Sequence, residues 1–422
     1  MRLYLAALVS VAAISIMAAQ DLRPKDIREI AKAGSNAIPK LEGLLKSPNL
    51  DVRIEVVRQI TEIGTARSLD PLILATQDND PEVQIRATDG LVNFYLPGYA
   101  KTGFAASLSR VGTSIKGRFT DTNDQVIDSF ITVRPDVIAA LGKLARSGGS
   151  LEARANTARA IGILRGRQAV PDLLEAIRSK DTSLIYESLI AIQKIRDESA
   201  ATQIGFLLRD LNPKVQIAAI ETVGLLRNKE ALPDLVDALN RSRDARVRRA
   251  ALTSIAMLPG ESSRQIYARY LQDKDDKMRA AAAEGYGRLR NPDDRPMLEK
   301  AWQDEGKTPV RLALGFALVT LGETQLSEFS PLQYLINTLN QAAYRDVAFA
   351  YLVETARDDQ VRTALYPSLD SGTRDEKISI ARVLARSGDK DSIPRLQKLS
   401  SDTDAEVAQE GMRALRNLQA RI

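Results

Sequence analysis

The sequence predicts an all-α fold, a right-handed solenoid of about eleven two-helix repeats. Three observations predict it. An apolar anchor returns about every 31 residues, at Val52, Val83, Ala153, Leu184, Val215, Val247, Met278, Val310, Val347, Ile378 and Val407. Each unit holds two stretches of 3.6-residue apolar periodicity, such as Val215, Ala218, Ala219, Thr222, Val223 and Leu226, then Leu232, Leu235, Val236 and Leu239. Short polar residues and prolines stand where these helices should begin. A lone pair of such helices cannot bury its apolar face, whereas a stack of pairs can, around one continuous core.

In chain order, Met1-Arg2, the apolar run Leu3 to Met17 and the small residues Ala18-Ala19 read as a signal peptide over residues 1–19, cut after Ala19. The run is short for a membrane span of about 20 residues, and an uncleaved anchor is the alternative. Residues 20–96 hold the first repeats and 135–422 the long C-terminal array. Nine helix starts carry a capping residue three positions before the anchor: Asn49, Asp80, Ser150, Asp181, Asn212, Asp244, Asp275, Asp375 and Asp404. Such a side chain accepts a hydrogen bond from the free N–H groups of the first turn. Pro81 and Pro213 follow the cap directly, and Glu82 and Glu406 put negative charge at the helix start. First helices open with Pro39, Pro71, Pro135, Pro171, Pro233, Pro296, Pro331 or Pro394. Ala and Gly inside the second helices leave room for close packing.

Two steps are long. Val83 to Ala153 is one period plus 39 residues, and Val310 to Val347 one period plus six. The first excess marks an insertion at 97–134. Within it Phe104, Leu108, Val111, Ile115 and Phe119 share a helix face. No acidic residue falls between Leu96 and Thr120, while Lys101, Arg110, Lys116 and Arg118 do. This basic amphipathic helix over 101–119 can pack on its own solenoid, clamp a partner or lie on an anionic membrane, although Gly103, Gly112 and Gly117 weaken it. Asp121-Thr122-Asn123-Asp124 with Asp128 offers oxygen ligands but lacks the glycine and distant glutamate of a calcium loop. These residues read as a turn that caps a helix over Gln125–Phe130.

The spacing, caps and prolines together resemble HEAT repeats, in the short class named after phycobilin lyases, from about Ala37 to Leu418. The resemblance implies an armadillo-like helical fold and leaves function open, because such repeats serve lyases, adaptors and transport scaffolds alike. Two enzyme families of this fold bear on activity. Deoxyhypusine hydroxylases hold iron with His-Glu pairs, and this chain has no histidine. Phycobilin lyases attach bilins to partner cysteines, and nothing in the sequence marks a chromophore pocket.

Composition narrows the chemistry further. With no cysteine and no histidine there is no disulfide, thiol nucleophile or Ser-His-Asp triad, and zinc and iron lose their usual ligands. No Walker-type loop occurs. Asp275-Asp276 and Asp358-Asp359 are adjacent pairs that a helix points apart.

Arg53, Gln84, Arg154, Gln216, Arg248, Arg279 and Arg311 directly follow an anchor. In the structural reading, which the resemblance to HEAT repeats implies, they form a ladder in which each basic side chain meets the cap Asp of its neighbour. In the functional reading they form a positive stripe, strongest at Arg248, Arg249, Arg279 and Arg311, with Arg241, Arg243 and Arg246 close by. The net charge is only +5 and no aromatic platform interleaves the arginines, so nucleic acid is not the expected partner. Aromatic residues gather around the insertion and in the later repeats, from Tyr267 and Tyr286 through Trp302, Tyr334 and Tyr351 to Tyr366. They either anchor a partner or fill wider gaps between repeats.

The expected function is a non-enzymatic scaffold, exported to the periplasm or beyond, without cofactor or metal. It binds a protein through a concave face of second helices bearing Arg248, Arg249, Arg279, Glu284, Tyr286 and Arg311, with the insertion as a side wall. A small-molecule enzyme of the lyase type and a membrane adaptor acting through 101–119 are the alternatives. N-terminal sequencing of the exported protein should read from Gln20; a chain still starting at Met1 would mean an anchor.

Overall fold

A computed structural model describes residues 22–100 and 125–422. The signal segment and most of the insertion, including the predicted face Phe104, Leu108, Val111, Ile115 and Phe119 and the Asp121–Asp124 turn, lie outside the described residues.

Every helix among the described residues follows from the same local logic. The second helices, 11 to 17 residues long, include Leu50–Ile63, Pro81–Tyr95, Leu151–Ile163, Thr182–Ile195, Pro213–Leu225 and Ala245–Ala256. Further on come Asp276–Leu289, Thr308–Thr320, Arg345–Thr355, Arg374–Ser387 and Ala405–Arg421. Each is preceded by a first element, equal in length at Pro135–Ser147 and otherwise shorter, down to seven residues in Ile38–Leu44, Leu69–Ala75, Val170–Ala176, Arg264–Tyr270 and Ile393–Leu399. Before Pro213–Leu225 that place is taken by a 3₁₀ helix, Glu198–Arg209. Eleven pairs result among the described residues, and the all-α repeat architecture is as expected.

The caps hold at Asn49, Asp80, Ser150, Asp181, Asn212, Asp244, Asp275 and Asp404, each accepting a first-turn N–H. Asp375 does not cap its helix. Thr373 does, in a reciprocal capping box with Glu376 that satisfies two orphan donors at once. That box also corrects the anchor register. The anchor was expected at Ile378, which is only half-buried, while Glu376, three residues after the true cap, is buried; likewise Val347 is 41 % exposed while Ala348 is buried. The two late repeats are therefore spaced unevenly, and the excess falls in the segment before Pro331–Thr338.

The chain divides into two compact units. One comprises the described residues up to Ile127 together with Ile131–Gln203; the other comprises Asp128–Phe130 with Ile204–Ile422. In the first, Pro24–Ala31 lies on Leu50–Ile63, and second helix packs on second helix from Leu50–Ile63 to Thr182–Ile195. Residues 125–128 have no helix, contrary to the expectation for Gln125–Phe130. Ile127 is instead buried, and its N–H donates to the carbonyl of Ile163, so this stretch takes its partner from a repeat and not from its own turn. In the second unit the same packing runs from Pro213–Leu225 to Ala405–Arg421. There Asp128 accepts from Arg413 at 2.9 Å and from Asn417 at 3.1 Å.

Packing between second helices hinges on one position, nine residues after the anchor. Gly162, Gly224 and Gly287 occupy it, and a Cβ at each would lie 2.7–2.9 Å from the Cα of Ala191, Ser254 and Ala317 respectively. No side chain fits there without moving backbone. The helix ends are periodic too. Arg165, Arg196, Arg227 and Arg290 adopt left-handed φ of 50–61° just beyond their helices, as Gly64 does at 58°. That backbone costs a non-glycine residue about 1–2 kcal/mol, while a cation beside the last carbonyls is favoured by the helix dipole.

Gly287→Val should lower stability by about 1–3 kcal/mol through overpacking. Gly43→Ala, where nothing lies within 4 Å of the added carbon, should raise it by about 0.5–1 kcal/mol. Denaturant midpoints check both.

Candidate functional site

The ladder of basic side chains exists, with a different acceptor from the one expected. Arg53 donates to both oxygens of Asp78, at 2.8 and 3.2 Å, and to the carbonyl of Ser47. Arg279 does the same with Glu305, at 2.9 and 3.3 Å, and with the carbonyl of Asp273. Lys377 pairs with Asp402 at 2.8 Å. These carboxylates stand two residues before the next cap and accept that residue's backbone N–H: Asp78 from Asp80, Glu305 from Lys307, Asp402 from Asp404. One carboxylate thus shapes its own turn and ties it to the preceding repeat. Gln84 spans the gap as an amide, donating to the carbonyl of Asp78 and accepting from Gly149 N–H. Arg154 and Gln216 reach only backbone carbonyls, of Ala145 and Leu208.

Each unit also carries a buried polar network on its second helices. In the first, Arg159 donates to Glu187 at 3.1 Å, and Asn156 donates to Asp89 at 3.0 Å. Burial and then the Asp89 charge push the Tyr99 phenol well above its ordinary value, while a hydrogen bond with Arg159 pulls the other way. In the second, Arg288 binds Glu354 through two nitrogens, at 2.9 and 2.8 Å, and Glu284 at 2.8 Å. Tyr351 donates to Glu284 at 2.7 Å, and its ring stacks on Phe316 at 4.8 Å. Burial lowers the Arg288 pKa, but Glu284 and Glu354 outweigh it, and the net shift is upward. These charges pair with one another across the second helices.

The predicted binding residues separate. Glu284 faces Arg288 and Tyr351. Tyr286, expected on an open groove, is 2 % exposed and packs edge-on against Tyr267 at 5.7 Å. Arg279 is a ladder rung. Arg249, and not Arg248, meets the next cap residue, Asp275, at 2.5 Å, whereas Arg248 is exposed. Around them Arg241 pairs with Asp237 and Arg246 with Asp244, both at 2.7 Å, which blunts the positive stripe. Arg311 lies over the rings of Trp302, at 4.7 Å, and Tyr334, at 5.1 Å.

A cleft of about 630 Å³ opens beside Val170–Ala176, lined by Arg167, Pro171, Leu174, Arg178, Asp197 and Gln203. Arg167 and then Ser199 hold the Asp197 carboxyl down to about 2, with contacts of 2.8 and 2.7 Å. It is ionised at neutral pH and has no proton to give. Among the described residues no group of three or more Asp or Glu is placed to hold a metal, and no helix is long and apolar enough to cross a membrane.

The family model for HEAT repeats matches residues 12–97, 203–266 and 241–319, and that for the PBS lyase HEAT-like repeat matches 153–179. The chain is a HEAT-repeat protein. No curated protein matches it. Among solved structures, this HEAT chain is similar to an engineered protein, with 19 % identity, a TM-score of 0.39, and 90 % of this chain and 98 % of that one covered. It is similar to the complex of CpcE and CpcF of phycocyanin lyase from Nostoc sp., with 16 % identity, a TM-score of 0.38, and 72 % and 94 % covered. It is also similar to importin beta, with 13 % identity, a TM-score of 0.36, and 98 % and 66 % covered.

The sequence did not single out Arg288, Glu354 or the Arg159–Glu187 pair. A charged residue on a HEAT second helix looks like a solvated face until the neighbouring helix is in place. The signal available was position: Arg159 and Glu284 both stand six residues after their anchors.

Arg288→Leu should lower stability by about 2–3 kcal/mol, because the half-buried Glu284 is left without its cation. Arg246→Ala, at an exposed pair, should leave the melting midpoint where it is. Thermal melts of the two variants, run side by side, test the contrast.

Proposed function

We propose that this HEAT-repeat chain is an exported, non-enzymatic scaffold that binds a protein partner. Phe329 carries the reading. It is 77 % exposed, has a left-handed φ of 70°, and sits in the extra segment between Thr308–Thr320 and Pro331–Thr338. Ser330 pins that segment: its hydroxyl donates to the carbonyl of Gln325 at 2.9 Å and accepts from Ser327 N–H at 3.3 Å. Leu326 is exposed on the same segment.

Holding a bulky side chain at positive φ costs about 1–3 kcal/mol, and leaving a phenyl ring in water forgoes about 2 kcal/mol of burial. Among the described residues nothing offsets either cost. A ring presented on a loop already held in shape loses little entropy on binding, and buried aromatic anchors dominate protein interfaces. The mutual pairing of the second-helix charges and the quenched Asp197 support a role without chemistry. The apolar run at residues 3–17 supports export.

A photoreactive phenylalanine at 329, activated in intact cells, should crosslink to one defined envelope protein, while the same probe at exposed Asp293 should not. Identical crosslinks from both positions, or none from 329, would remove the reading.

A further inference from the structure

Arg311 occupies a ladder position, directly after the buried anchor Val310, but has lost its rung. The equivalent Arg53, Arg279 and Lys377 each reach a carboxylate in the turn before the next second helix. The turn that follows Arg311, before Arg345–Thr355, reads Gln341-Ala342-Ala343-Tyr344 and offers none. Among the described residues Arg311 forms no ion pair, and its Nε is buried without an acceptor. Arg53 and Arg279 also bond the carbonyls of their own turns. Arg311 instead places its guanidinium carbon over the rings of both Trp302 and Tyr334, which meet edge-on at 5.3 Å. Trp302 in turn lies over Gly315, 3.1 Å from where a Cβ would stand, one helical turn beyond Arg311.

Stacking uses only the faces of a guanidinium. Its N–H groups point outward in the plane, and their natural complement is a planar oxyanion held by two parallel bonds. The residue is half-buried and only its Nε is sealed, so its terminal nitrogens can be approached from solvent. The two aromatic rings hold the guanidinium in place and lower the local dielectric, which strengthens any charge-assisted bond formed there.

We propose that Arg311, framed by Trp302 and Tyr334, is a receptor for a carboxylate, the group that an intact ladder would have supplied from the next repeat. This rests on the scaffold reading above insofar as the carboxylate belongs to a protein partner; a free small carboxylate has the same chemistry.

Trp302 is the chain's single tryptophan, so its fluorescence reports this site alone. The protein is titrated with sodium acetate, and separately with a capped glutamate-rich peptide, at ionic strength held constant with sodium chloride. A saturable change is expected. Arg311→Met should weaken it at least tenfold without lowering the melting midpoint, since no buried carboxylate is orphaned, and Arg311→Lys should fall between. Tighter binding of the peptide than of acetate assigns the carboxylate to a protein; equal binding per carboxylate assigns it to a small molecule; both support the receptor. Phe329→Ser should leave the acetate titration unchanged, so a failed crosslink at 329 and a failed titration are separate results. No saturable change with either probe, an unchanged titration in Arg311→Met, or a melting loss in that variant equal to that of Arg279→Met would overturn the proposal.

Discussion

A helix of seven residues is too short to hold itself in water. Among the described residues five first helices are that short, so much rests on how one repeat closes onto the next. The decisive contact is between second helices at the glycine nine residues past the anchor. There the neighbouring backbone comes so near that even a methyl group is excluded. At Gly287 the close approach accompanies the Arg279–Glu305 rung. It also shuts the second-helix charges into a space where they must satisfy one another.

Burial and charge then act in sequence. Apolar stripes supply the driving force, roughly in proportion to the area they remove from water. Ion pairs such as Arg53–Asp78 and Arg279–Glu305 add modest energy, being partly exposed to solvent. Their geometry is what matters: a carboxylate fixed to its own cap by a backbone bond can meet a guanidinium in only one register. The buried Arg159 and Arg288 networks have the same effect more sharply, because a slipped helix would leave a charge without its partner.

The architecture was legible in the sequence because its signals are local: period, cap and proline each act within a turn of their own residue. Asp80 caps its helix as read. The misreadings came where two local rules compete. At Thr373–Glu376 a capping box overrides the apolar anchor, and with it the status of Asp375 and Ile378. The left-handed arginines were invisible because glycine, not arginine, is the residue associated with that backbone. For the candidate site, Arg279 and Glu284 could be named but not their partners, since Glu305 and Arg288 look alike on paper until packing assigns one to a ladder and the other to a buried cluster. Tyr286 was placed outside because nothing local distinguishes a ring that seals a repeat from one that greets a partner.

The glycine contact bears on how such an array can lengthen or shorten. Each contact joins position nine of one repeat to position seven of the next, so the module that must be copied intact is the seam and not the helix pair. Duplicating a stretch from the middle of one second helix to the middle of the next preserves every seam. Cutting at the loops instead would join a glycine to whatever the new neighbour presents. Where the spacing stretches after Val310, Arg311 is left among the described residues without a carboxylate and Phe329 stands in solvent.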